Sequence, residues 1–170
     1  MVTANPRIDP STAPVAELTN YIVTTHHGYM REALPRIAGL LAACPAWDGL
    51  NPVFTAMRDE LELHMRKEEA VLFPFIDRVE RAIAQGVPPP AAPFGSVQNP
   101  IRMMEREHAS AMEALAQMRH IADGYMLPQN AGDSHRDLFA ALAALEEDLL
   151  AHIRLENEFL FPRAIAMAAV

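Results

Sequence analysis

Apolar residues recur every three or four positions along four long stretches of this 170-residue chain. That spacing places them on one face of an α-helix, and no stretch shows the alternation that is typical of a β-strand. The sequence therefore predicts an all-α fold, an up-down-up-down four-helix bundle. The Pro- and Gly-rich residues 86–98 cannot continue a helix and are predicted to form the loop that joins the two helix pairs. The predicted helices cover residues 15–43, 51–85, 99–123 and 133–166.

The composition excludes several classes of protein. Lys and Arg number 14 against 22 Asp and Glu, so the net charge is -8, and partners such as nucleic acid or an anionic membrane are not expected. The longest apolar runs, such as residues 138–145, are much shorter than the roughly 20 residues that cross a bilayer. A single cysteine, Cys44, allows neither a disulfide framework nor a cysteine-rich metal site. Residues 1–14 are interpreted as an N-terminal extension without a secretory signal, residues 15–168 as one domain, and the expected location is the cytoplasm.

One block of sequence occurs twice. HMRKEEAVLFP at residues 64–74 aligns with HIRLENEFLFP at residues 152–162, and His, Arg, Glu, Leu, Phe and Pro keep the same offsets. The chain is therefore interpreted as two helix pairs of related design, with a pseudo-twofold axis along the bundle. The Leu-Phe-Pro that closes each block is expected to end or kink its helix, because proline has no backbone N–H to donate.

Polar residues interrupt the apolar face of every predicted helix. His64 and Glu68 are four positions apart, which puts them about 40° apart around a helix and one turn apart along it. His152 and Glu156 repeat this spacing. A carboxylate buried alone would cost several kcal/mol or become protonated, so these groups need a partner, and a pair of metal ions is the simplest one. The six candidate metal ligands are His27, His64, Glu68, His108, His152 and Glu156.

A count of ligand atoms favours two ions. If each glutamate bridges both ions, four histidines and one oxo or hydroxo bridge complete about ten of twelve octahedral positions, which leaves about one open position on each ion. Mixed imidazole and carboxylate ligation suits iron or manganese, whereas a structural zinc site is normally closed and four-coordinate. The predicted cofactor is therefore a pair of non-haem Fe ions.

Other interpretations of the histidines stay open at this point. His26 is an alternative to His27, although it lies about 100° away from the apolar stripe of its helix. Three residues are candidates for hydrogen-bonding or packing against the metal-ligating side chains without binding the metal themselves: His26, Tyr29 and Glu107. A single histidine on an apolar face is usually a hydrogen-bonded core residue, so a metal-free helical interaction protein is a further hypothesis. The interruption of all four helices favours the metal site.

A ferritin-like di-iron site is a competing interpretation. It requires Glu-x-x-His on two helices. Only Glu105 and His108 have that spacing, because Leu61 and Leu149 stand three positions before the two repeated histidines. The sequence therefore argues against a ferritin-like site.

The quoted motifs resemble those of a known family. His27 with REALP at residues 31–35, the block at 64–74, Glu107-His108 and the block at 152–162 are similar to the hemerythrin-like domain of the di-iron repair-of-iron-centres proteins. The resemblance covers about residues 16–165. It implies a hemerythrin-like bundle with a non-haem di-iron centre, in which the six candidate residues are ligands and both glutamates bridge. It also implies a role in nitrosative and oxidative stress.

Two functions follow from this resemblance. The first is a di-iron protein that binds or reduces nitric oxide, or assists the repair of iron-sulfur centres, with an electron donor or an iron-sulfur client protein as partner. Two adjacent open iron positions would hold two small diatomic molecules side by side, as a nitric oxide reductase-type activity requires. The alternative is reversible O2 binding, storage or sensing. The motifs match oxygen-carrying hemerythrins less well. The pattern of those proteins has five histidines and a bridging Asp, and position 157, where that Asp is expected, is Asn here.

Overall fold

The computed structural model describes residues 8–169, and within this range the chain forms four long helices and no strand. Their bounds are 15–42 for α1, 50–84 for α2, 98–121 for α3 and 133–168 for α4. The predicted all-α class is therefore confirmed, and each helix lies close to its predicted position. None of these helices combines the length and the apolar character that a bilayer span requires.

Helices that follow one another in the chain lie side by side and antiparallel. Val15–Ile22 of α1 packs on Phe73–Ala84 of α2, while Gly28–Ala42 of α1 packs on Leu50–Lys67 of α2 and on Asp133–Leu155 of α4. The helix α3 packs on α2 and α4 and closes the ring. This arrangement is the predicted up-down-up-down bundle.

Three of the four helices contain a wider, π-helical turn near the middle of the bundle. These turns are Val23–His27 in α1, Glu68–Leu72 in α2 and Glu156–Leu160 in α4. Single π turns inside α-helices occur frequently at functional sites. The helices do not end at Pro74 and Pro162, which stand just beyond two of these turns. Proline is tolerated there because the wider turn already interrupts the regular hydrogen-bonding pattern.

Two apolar clusters fill the bundle, one on each side of the π turns. The first cluster surrounds Phe54 and Leu142 and is formed by the second half of α1, the first parts of α2 and α4, and the second half of α3. The second cluster surrounds Ile76 and Phe161 and is formed by the opposite halves of the same helices. The histidines and glutamates at the π turns therefore form a polar layer between two well-packed apolar regions.

The predicted division into an extension of residues 1–14 and a domain of residues 15–168 stays a prediction. Residues 1–7 lie outside the part of the chain that the structure describes. The remainder of the proposed extension is attached to α4, because the guanidinium of Arg163 donates hydrogen bonds to the carbonyl oxygens of Pro10 and Ala13 at 2.9 and 2.6 Å.

Candidate metal centre

The six predicted ligands meet in the polar layer at the centre of the bundle. Each helix contributes: α1 provides one histidine, α3 provides another, and α2 and α4 each provide a His–Glu pair at the start of a π turn. Every one of the six is at most 2% exposed to solvent. Burial of this many ionisable groups is unusual for a hydrocarbon core. The residues are His27, His64, Glu68, His108, His152 and Glu156.

Each glutamate lies between two histidines from different helices. One oxygen of Glu68 is 3.3 Å from Nε2 of His27, and its other oxygen is 3.3 Å from Nε2 of His64. The two oxygens of Glu156 lie 3.0 Å from Nε2 of His108 and 3.0 Å from Nε2 of His152. Each carboxylate thus offers one oxygen atom to each half of the site.

The ligand atoms form two overlapping groups that share both carboxylates. We call the group with His27 and His152 the 27/152 position, and the group with His64 and His108 the 64/108 position. Within each group, one ligand atom from every residue lies within 4.8 Å of all the others. The Nε2 atoms of His64 and His108 point towards each other at 3.2 Å. Both groups have the size and the donor atoms of a metal-binding site.

Several of these buried atoms have no hydrogen-bond partner among the described residues. They are Nε2 of His27, both oxygens of Glu68 and one oxygen of Glu156. Buried polar atoms are normally hydrogen-bonded, because an unsatisfied group loses its hydration without compensation. Carboxylate oxygens that converge with imidazole nitrogens in a buried layer, most of them without a well-aligned hydrogen bond, fit a cation, and nitrogen and oxygen donors together suit iron or manganese. The residues therefore fit the predicted metal ions.

Comparison with known proteins agrees with this geometry. Residues 18–164 match the family described as the hemerythrin HHE cation binding domain. The chain belongs to this family. Family membership and the buried His/Glu cluster together indicate non-haem iron binding.

The relatives of this hemerythrin HHE domain carry a more specific name. The chain is 37% identical over 164 residues to the "Iron-sulfur cluster repair protein YtfE" of Edwardsiella ictaluri, a match that covers 90% of this chain and 67% of that protein. Proteins of the same name from Escherichia coli strain ED1a and Escherichia fergusonii are 33% identical over 166 residues, covering 93% of this chain and 70% of theirs. The resemblance to the repair-of-iron-centres family is thus confirmed.

The two carboxylates give the centre of the domain a strong attraction for positive charge. Burial alone would lower the pKa of His64, but Glu68 and Glu156 outweigh it and raise that pKa to about 9. Burial would also lower the pKa of His27, but Glu68, Glu69 and Glu156 together outweigh it and raise that pKa. Burial alone would raise the pKa of Glu156, yet the neighbouring histidines hold it well below its usual range. The same field that holds protons here would hold metal ions.

Three of the four histidines are held from outside by a hydrogen bond at Nδ1. Such a bond fixes the tautomer and leaves Nε2 free to bind a metal. The Nδ1–H of His27 donates to Glu69 at 2.7 Å, and that of His64 donates to Glu107 at 2.9 Å. The Nδ1–H of His108 donates to the side-chain oxygen of Asn157 at 2.9 Å.

Both outer carboxylates are also ion-paired. Arg31 contacts Glu69 and Lys67 contacts Glu107. Burial alone would raise the pKa of Glu69, but the hydrogen bonds from His27 and Arg31 outweigh it, so that pKa lies below its usual value. Burial alone would also raise the pKa of Glu107, but the hydrogen bonds from Lys67 and His64 lower it. Both residues therefore remain charged acceptors.

The three residues that the sequence offers as contacts to the ligands lie in different places in the structure. Glu107 holds His64, as described above. His26 belongs to neither metal position; its ring is stacked on that of His152 with centroids 5.5 Å apart, and its Nδ1–H donates to Asp148 at 3.0 Å. Tyr29 lines a surface groove between α1 and α4 and forms no hydrogen bond to the six within the described residues. Two positions beyond His27, it faces about 200° away from it around the helix.

Sequence reasoning missed Glu69, Asn157 and Asp148. On an ideal helix Glu69 points about 140° away from His64, so it looks like a solvated residue. Its partner is His27 on the neighbouring helix, which periodicity within one helix does not reveal. One signal was present in the repeat: Glu69 and Asn157 each directly follow one of the two buried glutamates.

Proposed function

We propose that this hemerythrin HHE domain is a non-haem di-iron protein that binds or reduces nitric oxide, or assists the repair of iron-sulfur centres, under nitrosative and oxidative stress. The observation that carries the proposal is the position of Glu68 and Glu156. Each is fully buried and directs one oxygen to each of two histidine pairs. The printed name of the relatives supports the repair role.

The proposed ligands divide between two ions. His27 and His152 would hold one ion and His64 and His108 the other, while Glu68 and Glu156 would each offer one oxygen to each ion. These residues would supply four nitrogen and four oxygen contacts, and a shared oxo or hydroxo group would bring the occupied positions to about ten of twelve. His26 lies outside both groups. A four-histidine centre leaves both ions able to take a ligand, which favours nitric oxide chemistry over the five-histidine site of oxygen carriers.

The chain itself would contribute shielding and fixed orientation. When bound, the two irons would supply electrons and adjacent open positions for a small diatomic molecule. The first and second apolar clusters keep water away from the layer on both sides. Glu69, Glu107 and Asn157 fix three of the imidazoles with Nε2 turned inward. We further propose that the partners are iron-sulfur client proteins and an electron donor, and that the location is the cytoplasm.

Metal analysis is the direct test of this function. Anaerobic reconstitution with Fe(II) is expected to give two irons per chain. Glu68→Ala is expected to lose most of this iron, whereas Glu62→Ala, an exposed glutamate on the same helix, retains it. Circular dichroism establishes that both variants are folded. Equal iron contents in the two variants would disprove the ligand assignment.

Gas binding separates the nitric oxide proposal from the oxygen alternative. Nitric oxide added to the anaerobic diferrous protein is expected to change its optical and electron paramagnetic resonance spectra, with nitrous oxide as product if the protein turns over. An unchanged spectrum would contradict the proposal. An oxygen adduct that is released under vacuum with the diferrous state intact would instead support reversible O2 binding.

The repair role needs an experiment of its own. An iron-sulfur enzyme whose cluster has been damaged by nitric oxide is incubated anaerobically with the iron-loaded protein. Recovery of enzyme activity is expected with the loaded wild-type chain and not with Glu68→Ala incubated with the same total amount of iron. Equal recovery with free Fe(II) alone would show that the protein has no specific part in repair.

A further inference from the structure

The two halves of the metal centre are related by the internal repeat, but their outer contacts are not the same. Each inner histidine has a counterpart in the other half, and so does each residue that stands beside it in sequence. Comparison of the counterparts shows which contacts one half has and the other lacks. The corresponding pairs are His27 and His108, His64 and His152, Glu68 and Glu156, Glu69 and Asn157, and His26 and Glu107.

The 64/108 position is held from outside at both histidines. Glu107 accepts the Nδ1–H of His64 at 2.9 Å, and Asn157 accepts the Nδ1–H of His108 at 2.9 Å. Neither imidazole can rotate without breaking a hydrogen bond. Both Nε2 atoms therefore stay directed at the shared carboxylates.

The 27/152 position is held at only one of its histidines. His27 donates to Glu69 at 2.7 Å, but Nδ1 of His152 is buried and has no hydrogen-bond partner among the described residues. The counterpart of Glu107 on this side is His26. The imidazole ring of His26 stacks on that of His152, with the two planes 7° from parallel, and its Nδ1–H donates to Asp148.

The two metal positions are expected to differ in metal binding because one histidine, His152, lacks an outer hydrogen-bond acceptor within the described part of the chain. Glu69 and Glu107 are both charged acceptors paired with a cation, so their contributions balance. What remains is His108, which has an amide acceptor, against His152, which has none. An acceptor at the outer nitrogen orients a ligating imidazole and increases its basicity, and its loss typically costs 10–100-fold in metal affinity. Ring stacking restricts the plane of His152 but accepts no proton.

We propose that the 27/152 position binds its ion more weakly than the 64/108 position and releases it first, and that His26 is the positioning residue that sets this difference. The inference rests on the proposed two-metal centre. It adds that the two ions are unequal, with one held firmly and one available for transfer to an acceptor. The expected ratio of the two dissociation constants is about tenfold or more.

A gain of affinity at the weak position tests the proposal. The double variant His26→Glu with Asp148→Asn places a carboxylate where Glu107 stands in the other half and removes the acidic neighbour that would repel it. Anaerobic Co(II) titration of the full chain, followed by absorption, is expected to show two steps in the wild type. In the double variant the weaker step tightens about tenfold or more, and release of this ion to a chelator slows by the same factor.

Two further variants make the test independent of that design. Asn157→Leu removes the acceptor of His108 at nearly constant volume, so the tighter step is expected to weaken about tenfold. His26→Phe retains a stacked ring without an acceptor and is expected to leave the ratio of the two steps unchanged. A general loss of structure would weaken both steps and would not tighten either.

The outcomes separate this inference from the proposed function. A wild-type chain that binds no metal would overturn the di-iron function itself. Two ions bound with equal affinity, or binding steps that move neither in the His26→Glu double variant nor in Asn157→Leu, would overturn only the inequality of the two positions. Tightening of the weak step by the His26→Glu double variant, together with weakening of the tight step by Asn157→Leu, would establish it.

Discussion

Glu107 on α3 accepts the Nδ1–H of His64 on α2 at 2.9 Å while its own side chain is 28% exposed to solvent. A fully buried histidine is thereby connected to the protein surface through one carboxylate. Lys67 pairs with the same carboxylate from outside and keeps it charged. The orientation of a predicted metal ligand thus depends on a residue that surface mutagenesis can reach without touching the core.

Replacement of Glu107 by glutamine is expected to weaken metal binding. The amide still accepts a hydrogen bond from His64 but makes the imidazole less basic than a carboxylate does, so affinity at the 64/108 position falls, by less than the roughly 10-fold that complete loss of the acceptor costs. Competition with a chelator of known affinity measures this change. Glu105→Gln, an exposed neighbour two positions earlier, is the matched control and is expected to have no effect. Equal affinities of the two variants would contradict this role of Glu107.

The metal-free protein is expected to lose stability as the pH rises from 6.5 towards 9. The pKa of His64 is raised in the fold from 6.5 to about 9, so its proton stabilises the folded state fully below pH 6.5, and this contribution disappears as the pH passes 9. One proton changes the free energy of unfolding by up to about 1.4 kcal/mol per pH unit in this window. Urea unfolding of chelator-treated protein at several pH values measures the slope.

Two variants identify the group responsible for this slope. His64→Gln is expected to make this slope shallower, because it removes the group whose pKa is raised to about 9, while His27 keeps its own smaller contribution. His120→Gln, at an exposed histidine on α3, is expected to leave it intact. An unfolding free energy of the metal-free wild type that rose between pH 6.5 and pH 9 would contradict the expected sign.

The helices could be predicted from the periodicity of apolar residues. The free-energy cost of burying charged side chains was sufficient to predict that the six candidate ligands share one site. Long amphipathic stretches with Pro- and Gly-rich breaks determine where helices lie, because the apolar stripe must be buried whatever the partner is. The sequence indicates Glu68 and Glu156 because a carboxylate on a buried apolar stripe destabilises the fold unless a cation or proton neutralises it. Their burial and their position between histidine pairs agree with this reasoning. Their role as metal ligands stays a prediction.

The outer contacts of the site could not be predicted in the same way. Glu69, Asn157 and Asp148 act across helix interfaces, so their partners depend on how two helices are rotated against each other. The π turns add to this rotation, and a window of 3.6-residue periodicity does not detect a single wider turn. Polar residues at the edge of a stripe therefore look solvated in the sequence although they hold buried histidines in the fold.

Stability of the bundle and formation of the metal site are expected to be separable at Phe54. This side chain is fully buried in the first apolar cluster, more than two helical turns before His64. Phe54→Ala is expected to lower the free energy of unfolding by about 3–5 kcal/mol, because it leaves a cavity in a packed core. Iron stoichiometry of the folded protein is expected to stay unchanged. Leu63→Ala, at an exposed leucine on the same helix, is the control, with a change of about 0.5 kcal/mol or less.

Removal of the metal is expected to weaken the bundle without unfolding it. The two apolar clusters on either side of the polar layer bury large side chains that make no contact with a metal, so they hold the helices together after chelation. Bound metal at a free concentration 1,000 times its dissociation constant stabilises the fold by about 4 kcal/mol, which corresponds to roughly 10 °C in the unfolding midpoint for a chain of this size. Thermal melts followed by circular dichroism, with and without chelator, measure the difference. Glu68→Ala should show no metal-dependent shift, and a chelated wild-type chain without helical signal at 25 °C would mean that the apolar clusters cannot sustain the bundle alone.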